Sequence, residues 1–250
     1  MKQAKKTIHG DGAHDDTSGI QALLDSGVSL VYLPPPKKEY LISRTLLIHS
    51  QQALRLDPYS GIRLAPQKDR NYSAMIANAD QEEGNGNISV TGGIWDMDNM
   101  RQPINPVNSG EFGVANGRYR RDFVRAIMDF NNVRHLALKD LILKNASQLH
   151  IRLGKVSHFT ISDIRIDTAQ APTLHGGRGV GIDGIGLYDG DCHWGFISNI
   201  QGKTIDDFIS INPDNGPFTK CRGPVENIDI SGIHVSGQNS SGIRLLSSGS

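Results

Sequence analysis

Leu136-Ala-Leu138-Lys-Asp-Leu141-Ile-Leu143 and, about two dozen residues on, Phe159-Thr-Ile161-Ser-Asp-Ile164-Arg-Ile166 carry one pattern, L-x-L-x-x-L-x-L. Ile228-Asp-Ile230-Ser-Gly-Ile233-His-Val235 repeats it, with weaker copies at Ile197 and Ile200 and at Ile88 and Val90. The pieces Ile161-Ser-Asp-Ile164, Ile197-Ser-Asn-Ile200 and Ile230-Ser-Gly-Ile233 read as one corner, two short strands joined by a small polar bend. A second family of period-2 pairs accompanies them: Ile151 and Leu153, Ile185 and Leu187, Ile209 and Ile211, Ile243 and Leu245. A coil of such brief strands cannot bury its apolar face alone, so coils must stack, with equivalent strands pairing in parallel. The competing arrangement is an antiparallel sandwich. A spacing of roughly 23 to 36 residues with no intervening helices is too long for its hairpins. The expected fold is therefore all-β, a right-handed parallel β-helix forming one domain over residues 1–250.

The 250 residues and 37% apolar content suffice for one elongated core. Lys and Arg total 26, as do Asp and Glu, so no overall field draws the chain to nucleic acid or an anionic membrane. No stretch approaches transmembrane length, and Met1–Gly10 lacks the apolar run of a secretory signal. The expectation is a cytoplasmic protein, or a secreted or periplasmic one if a leader has been removed. With only Cys192 and Cys221, disulfides do not frame the fold; both are expected reduced and packed, a bridge between neighbouring coils being the alternative. The 28 glycines have no G-x-y period and indicate many tight turns. One helix is expected over Asp16–Ser26, with Ile20, Leu23 and Leu24 on one face and Asp16 or Thr17 as N-cap.

His9-Gly-Asp-Gly-Ala-His-Asp-Asp-Thr17, continuing to Ile20 and Gln21, resembles the G-D-G-x-x-D-D-T-x-x-I-Q motif that opens many β-helices of the pectate-lyase superfamily. Val31-Tyr-Leu-Pro34 and Tyr40-Leu-Ile-Ser43 resemble the strand pair that follows it, with Pro35, Pro36, Lys37 and Lys38 replacing a glycine turn. Residues 7–26 then cap the first coil, and Asp11, Asp15 and Asp16 serve turn and cap hydrogen bonds. From Asn132 onward the chain is similar to glycoside hydrolase family 28, the polygalacturonases, and their bacterial relatives. Ile182-Asp-Gly-Ile185 resembles N-T-D-G-[FIV], and Ile205-Asp-Asp-Phe-Ile-Ser-Ile211 resembles x-D-D-x-[IV]-A-[IL]. Gly181 and Ile182 stand where the family has asparagine and threonine, no Gly-His-Gly follows, and Arg244 matches the arginine of R-x-K while Leu246 occupies the lysine position.

The resemblance implies a catalytic set of Asp183, Asp206 and Asp207, with Asp206 or Asp183 the acid and the others holding water. Cleavage with inversion needs one protonated carboxyl for the leaving oxygen and one carboxylate to activate water. Asp183 and Asp207 precede equivalent strand pairs, so one coil step brings them together, and crowding raises at least one pKa. Candidate substrate-binding residues are His175, Arg178, His193, Asn212 and Arg244, with Ser210 on the same parity; arginine forks suit an acidic sugar. The stretch Asp98–Phe123, with Arg118, Tyr119, Arg120 and Arg121, reads as a loop walling the cleft. Tyr119 or Trp194 is a candidate for stacking on a sugar ring, Trp194 packed in a turn being the alternative. His9, His14, His135 and His158 read as ordinary surface residues. No zinc spacing, P-loop or dinucleotide fingerprint occurs, and no cofactor or metal is expected.

The sequence-level expectation is a glycoside hydrolase of polygalacturonase type on a pectin-like or other acidic oligo- or polysaccharide, inverting and metal-free. A polysaccharide lyase dependent on Ca²⁺ and a non-catalytic carbohydrate-binding solenoid are the alternatives. The sequence stops at Ser250 in mid-repeat, which reads as a truncated C-terminal end with an open strand edge. Size measurement in solution is then expected to show self-association through that last coil; a well-behaved monomer would contradict it.

Overall fold

The computed structural model describes residues 7–67, 74–103, 125–172, 181–213, 223–236 and 241–246. They form a right-handed parallel β-helix in which every strand pair is parallel. Three faces run along it. One stacks Leu30–Leu33, Gln52–Leu56, Asn85–Thr91 and the later part of Ala126–Lys139, then the middle of Leu149–Asp167, Cys192–Lys203 and Val225–Val235. The second stacks Tyr40–Ile42, Gly61–Leu64, Ile94–Asp96 and Ile142–Lys144, and continues in the ends of the same long strands. The third stacks Leu46–Ile48, Ala74–Asn78, the starts of Ala126–Lys139 and Leu149–Asp167, and then Asp183–Asp189, Ile209–Ile211 and Ile243–Leu245.

The repeat read from the sequence is the pairing register. Val90 faces Leu138, Leu138 faces Ile161, Ile161 faces Ile197 and Ile197 faces Ile230. On the third face Ile151, Ile185, Ile209 and Ile243 are stacked, as are Leu153, Leu187, Ile211 and Leu245. These columns make one continuous core in which Leu138, Ile161, Ile197, Ile151 and Ile185 are fully buried. Each such side chain removed from water contributes about 1.5–3 kcal/mol, so the stack is the dominant stabilising term.

The polar bends are single residues in left-handed conformation, and they too are stacked. Asp140, Asp163 and Asn199 have φ between 53° and 58°, and their neighbours Gly92 and Gly232 are also positive. A second column runs Gln51, Asn87, His135, His158, Trp194 and Asn227. Asn and Asp tolerate this conformation better than most residues because their short polar side chains bond locally. Here they bond between coils: Asn199 Nδ2 donates to Asp163 Oδ1 at 2.6 Å. Inside the tube Asn78 plays a similar part, accepting from the Asn131 amide at 2.9 Å and donating to the Asn131 carbonyl at 2.9 Å.

The helix spans Thr17–Leu24 and covers the first coil with Ile20 and Leu24, whereas Leu23, expected on the buried face, is 39% exposed. Asp16 occupies the N-cap position without capping, because its buried carboxylate accepts instead from the amides of His9, Gly10 and Leu41. Asp11 and Asp15 do bond turn amides, those of Ala13 and His14 and that of Thr17. Cys192 is buried, while Cys221 lies outside the described residues. No helix among the described residues is long and apolar enough to cross a membrane.

Gly202 has φ 133°, and a Cβ there would fall on the Ile166 carbonyl oxygen of the preceding coil. Gly202→Ala is expected to destabilise the fold by about 2–3 kcal/mol, read as a lower denaturation midpoint.

Candidate active site

Three coils build a polar cleft of about 290 Å³ on the third face. Ile182 turns into the core, which sends Asp183 outward just before Ile185, and Asp207 stands in the same relation to Ile209, the partner of Ile185. The Gly184 amide donates to the Asp207 carbonyl at 2.9 Å, so the two acidic corners are hydrogen-bonded neighbours. Carboxylate oxygens of Asp183, Asp206 and Asp207 lie within 4.8 Å of one another. The next coil supplies Arg244, whose Nη1 donates to Asp207 Oδ2 at 2.8 Å, and the Ser241 amide donates to Asp207 Oδ1 at 3.2 Å.

Asp183 is the electrostatic centre of the group. It is nine-tenths buried, and its carboxyl is pushed up to about 8 by that burial first and by the charges of Asp206 and Asp207 second. Ser210, donating to Asp183 Oδ2 at 3.0 Å, and Arg244 pull the other way. The Tyr188 hydroxyl also donates to Asp183 Oδ2. Beneath the site His150 is fully buried, and burial pushes its imidazole down to about 4, which leaves it neutral at ordinary pH. Its Nδ1 is 2.8 Å from the Asp183 carbonyl and its Nε2 2.8 Å from Thr168 Oγ1. A carbonyl only accepts, so the proton sits on Nδ1 and the Thr168 hydroxyl donates to Nε2. His150 thus anchors the backbone that carries Asp183.

Of the residues expected at the site, Asp183, Asp206, Asp207, Asn212 and Arg244 line this cleft, as do Ser210 and Leu246. His193 does not. It lies on the first face opposite Ser157, with Nε2 2.6 Å from Asp191 and Nδ1 3.4 Å from Glu226, because its strand stacks around the corner from the acids. Trp194 shares that face; it sits at a bend but is 55% exposed, not packed. His175, Arg178, Arg118, Tyr119, Arg120 and Arg121 lie outside the described residues. Tyr188 and Gln148, which also line the cleft, and His150 beneath it were not legible as site residues. Tyr188 falls one position past the Ile185 and Leu187 pair, the only hint that it faces the Asp183 side. Gly181, where the resemblance has asparagine, lies against Asp206: a side chain there would meet the Asp206 carboxylate.

The carboxylates fit poorly as a cage for Ca²⁺, which takes six to eight oxygen ligands. Asp207 is engaged on both oxygens by Arg244 and Ser241, and Asp183 Oδ2 by Tyr188 and Ser210. The inverting course stands on the resemblance alone.

Similar solved structures include the exopolygalacturonase of Thermotoga maritima, at a TM-score of 0.70 and 18% identity over 96% of this chain and 61% of that one. The polygalacturonase of Erwinia carotovora ssp. carotovora matches at 0.67 and 17% over 98% of this chain and 70% of its own. The A-module of mannuronan C-5 epimerase AlgE6 from Azotobacter vinelandii matches at 0.69 and 14% over 95% and 56%. These likenesses establish the right-handed parallel β-helix fold. No protein-family model and no curated protein sequence matches the chain.

Folded, Asp183 keeps its proton to a pH of about 8; unfolded, it releases it near 3.8. Between those values the folded chain binds more protons, so stability falls as pH rises through the window. Asp183→Asn is expected to remove that slope, leaving stabilities alike near pH 4 and the variant more stable at pH 8, by roughly a few kcal/mol. Denaturant titrations at both pH values check it.

Proposed function

We propose that this chain is a glycoside hydrolase acting on a pectin-like or other acidic oligo- or polysaccharide. The observation that carries the reading is the cluster of three carboxylates in one cleft, one of them held protonated near neutrality, beside an arginine. In this reading Asp183 gives its proton to the glycosidic oxygen as the bond to the anomeric carbon breaks. Water, held by Asp206 and Asp207, adds to that carbon and loses its proton to one of them. Arg244 is 47% exposed at its side chain, so it can hold Asp207 with one nitrogen and meet a sugar carboxylate with the others. Asn212, on the same strip, suits sugar hydroxyls. Two polygalacturonases and a mannuronan epimerase among the similar structures support an acidic-sugar polymer as substrate.

Incubation with polygalacturonate and related glycans is expected to release reducing ends, unaffected by chelator and without an unsaturated chromophore. Asp183→Asn and Asp207→Asn should each lower turnover by about 10²–10⁴-fold with the fold intact by circular dichroism. Unchanged turnover in Asp207→Asn would overturn the assignment. A chelator-sensitive chromophore would mean a lyase, and binding without turnover a carbohydrate-binding solenoid.

A further inference from the structure

A second cluster of potential ligands lies at the opposite end of the molecule, in the turn that leads into the helix. His9, Asp11 and His14 each offer a nitrogen or oxygen within 4.8 Å of the other two. The backbone beneath them is fixed at both ends. Asp16, fully buried, takes the amides of His9 and Gly10 on its carboxylate, and the Gly12 amide donates to the Glu39 carbonyl at 2.9 Å. Lys38 in turn donates its amide to the Gly10 carbonyl at 2.9 Å. Gly10 and Gly12, with φ of 59° and 71°, give the chain the left-handed steps that curl this turn on itself.

On that rigid base the side chains converge in open solvent. The rings of His9 and His14 stack with centroids 4.6 Å apart and 23° between planes. Asp11 Oδ2 lies 2.8 Å from His14 Nδ1, and Asp11 Oδ1 is held by the amides of Ala13 and His14. The Asp11 carboxylate is thus oriented by the turn with its second oxygen facing the imidazoles. The side chains of His14 and Asp11 are 66% and 32% exposed, so an ion can reach them without opening the fold.

We propose that His9, Asp11 and His14 form a site for a borderline divalent transition-metal ion such as Zn²⁺. Two imidazoles and a carboxylate select that class over Mg²⁺ and Ca²⁺, which take oxygen ligands. Bonds of about 2.0–2.1 Å to a tetrahedral ion place ligand atoms roughly 3.3–3.5 Å apart. The present separations, 2.8 Å between Asp11 Oδ2 and His14 Nδ1 and none above 4.8 Å, bracket that value. The fourth position stays open to water. A bound ion would tie together the two ends of the turn that covers the first coil, so its effect is on the stability of that cap. The site is remote from the three-carboxylate cleft in fold and donor type, and it does not depend on the proposed hydrolase activity.

The test uses tag-free full-length chain freed of metal by chelator dialysis. Titration with Zn²⁺ by calorimetry, and with Co²⁺ by visible absorption, is expected to show one saturable equivalent, a low-coordinate Co²⁺ spectrum and a raised melting temperature. His9→Gln and His14→Gln should each weaken binding at least tenfold, while Asp207→Asn leaves it unchanged and Ca²⁺ in excess does not compete. Absence of saturable binding, undiminished binding in His14→Gln, or loss in Asp207→Asn would each overturn the proposal.

Discussion

Everything in this molecule depends on one coil lying on the next in strict parallel register. The strand-to-strand step of about 4.8 Å is set by backbone hydrogen bonds, and it fixes which side chains from distant parts of the sequence become neighbours. Within the tube the step stacks aliphatic side chains into continuous columns, such as Leu138 on Ile161 on Ile197. Outside it, the same step sets acid against acid. Asp183 and Asp207 meet because Ile185 and Ile209 pair, and the crowding is relieved by the proton that Asp183 keeps while the apolar columns on either side hold the register. Charge crowding at the cleft is thus sustained by burial elsewhere in the same coils, as expected where a site departs from local optimality.

The scaffold also decides the inequality among the three acids. Asp183 has Ser210 and Tyr188 on one oxygen and neutral His150 on its carbonyl. Asp207, one coil further on, is matched by the Arg244 guanidinium supplied by the coil after that. One coil step therefore separates a carboxyl whose charge is disfavoured from one whose charge is compensated. Acid and base roles follow from such a difference in surroundings more than from the residue type.

How much of this was legible in the sequence follows from what each feature needs. The aliphatic columns were, because Ile and Leu at period 2 recur at coil spacing and pairing register simply aligns the recurrences. The meeting of Asp183 and Asp207 was legible for the same reason, since both precede paired column residues, whereas Asp206 and Arg244 were picked out by the motifs they resemble. His193 was misplaced because linear nearness to the acidic motif says nothing about which side of a corner a residue falls on. His150 and Tyr188 were missed because a histidine inside a strand, or a tyrosine beyond an apolar pair, carries no mark of its partner until the coils are closed. The helix cap failed for a local reason: Asp16 has a better use for its carboxylate, binding the amides of His9, Gly10 and Leu41, than the helix end it precedes.

The one-residue corners constrain how such a chain can change length. At the bend from the first face to the second, successive windings turn through a single left-handed residue, so inserting or deleting one residue beside Asp163 or Asn199 would swap the inner and outer rows of the strand that follows. Variation in length is accordingly channelled into whole windings or into excursions leaving the tube between strands. Adding a whole winding, or lengthening an excursion between strands, keeps the alternation of inner and outer rows that a one-residue gap would break.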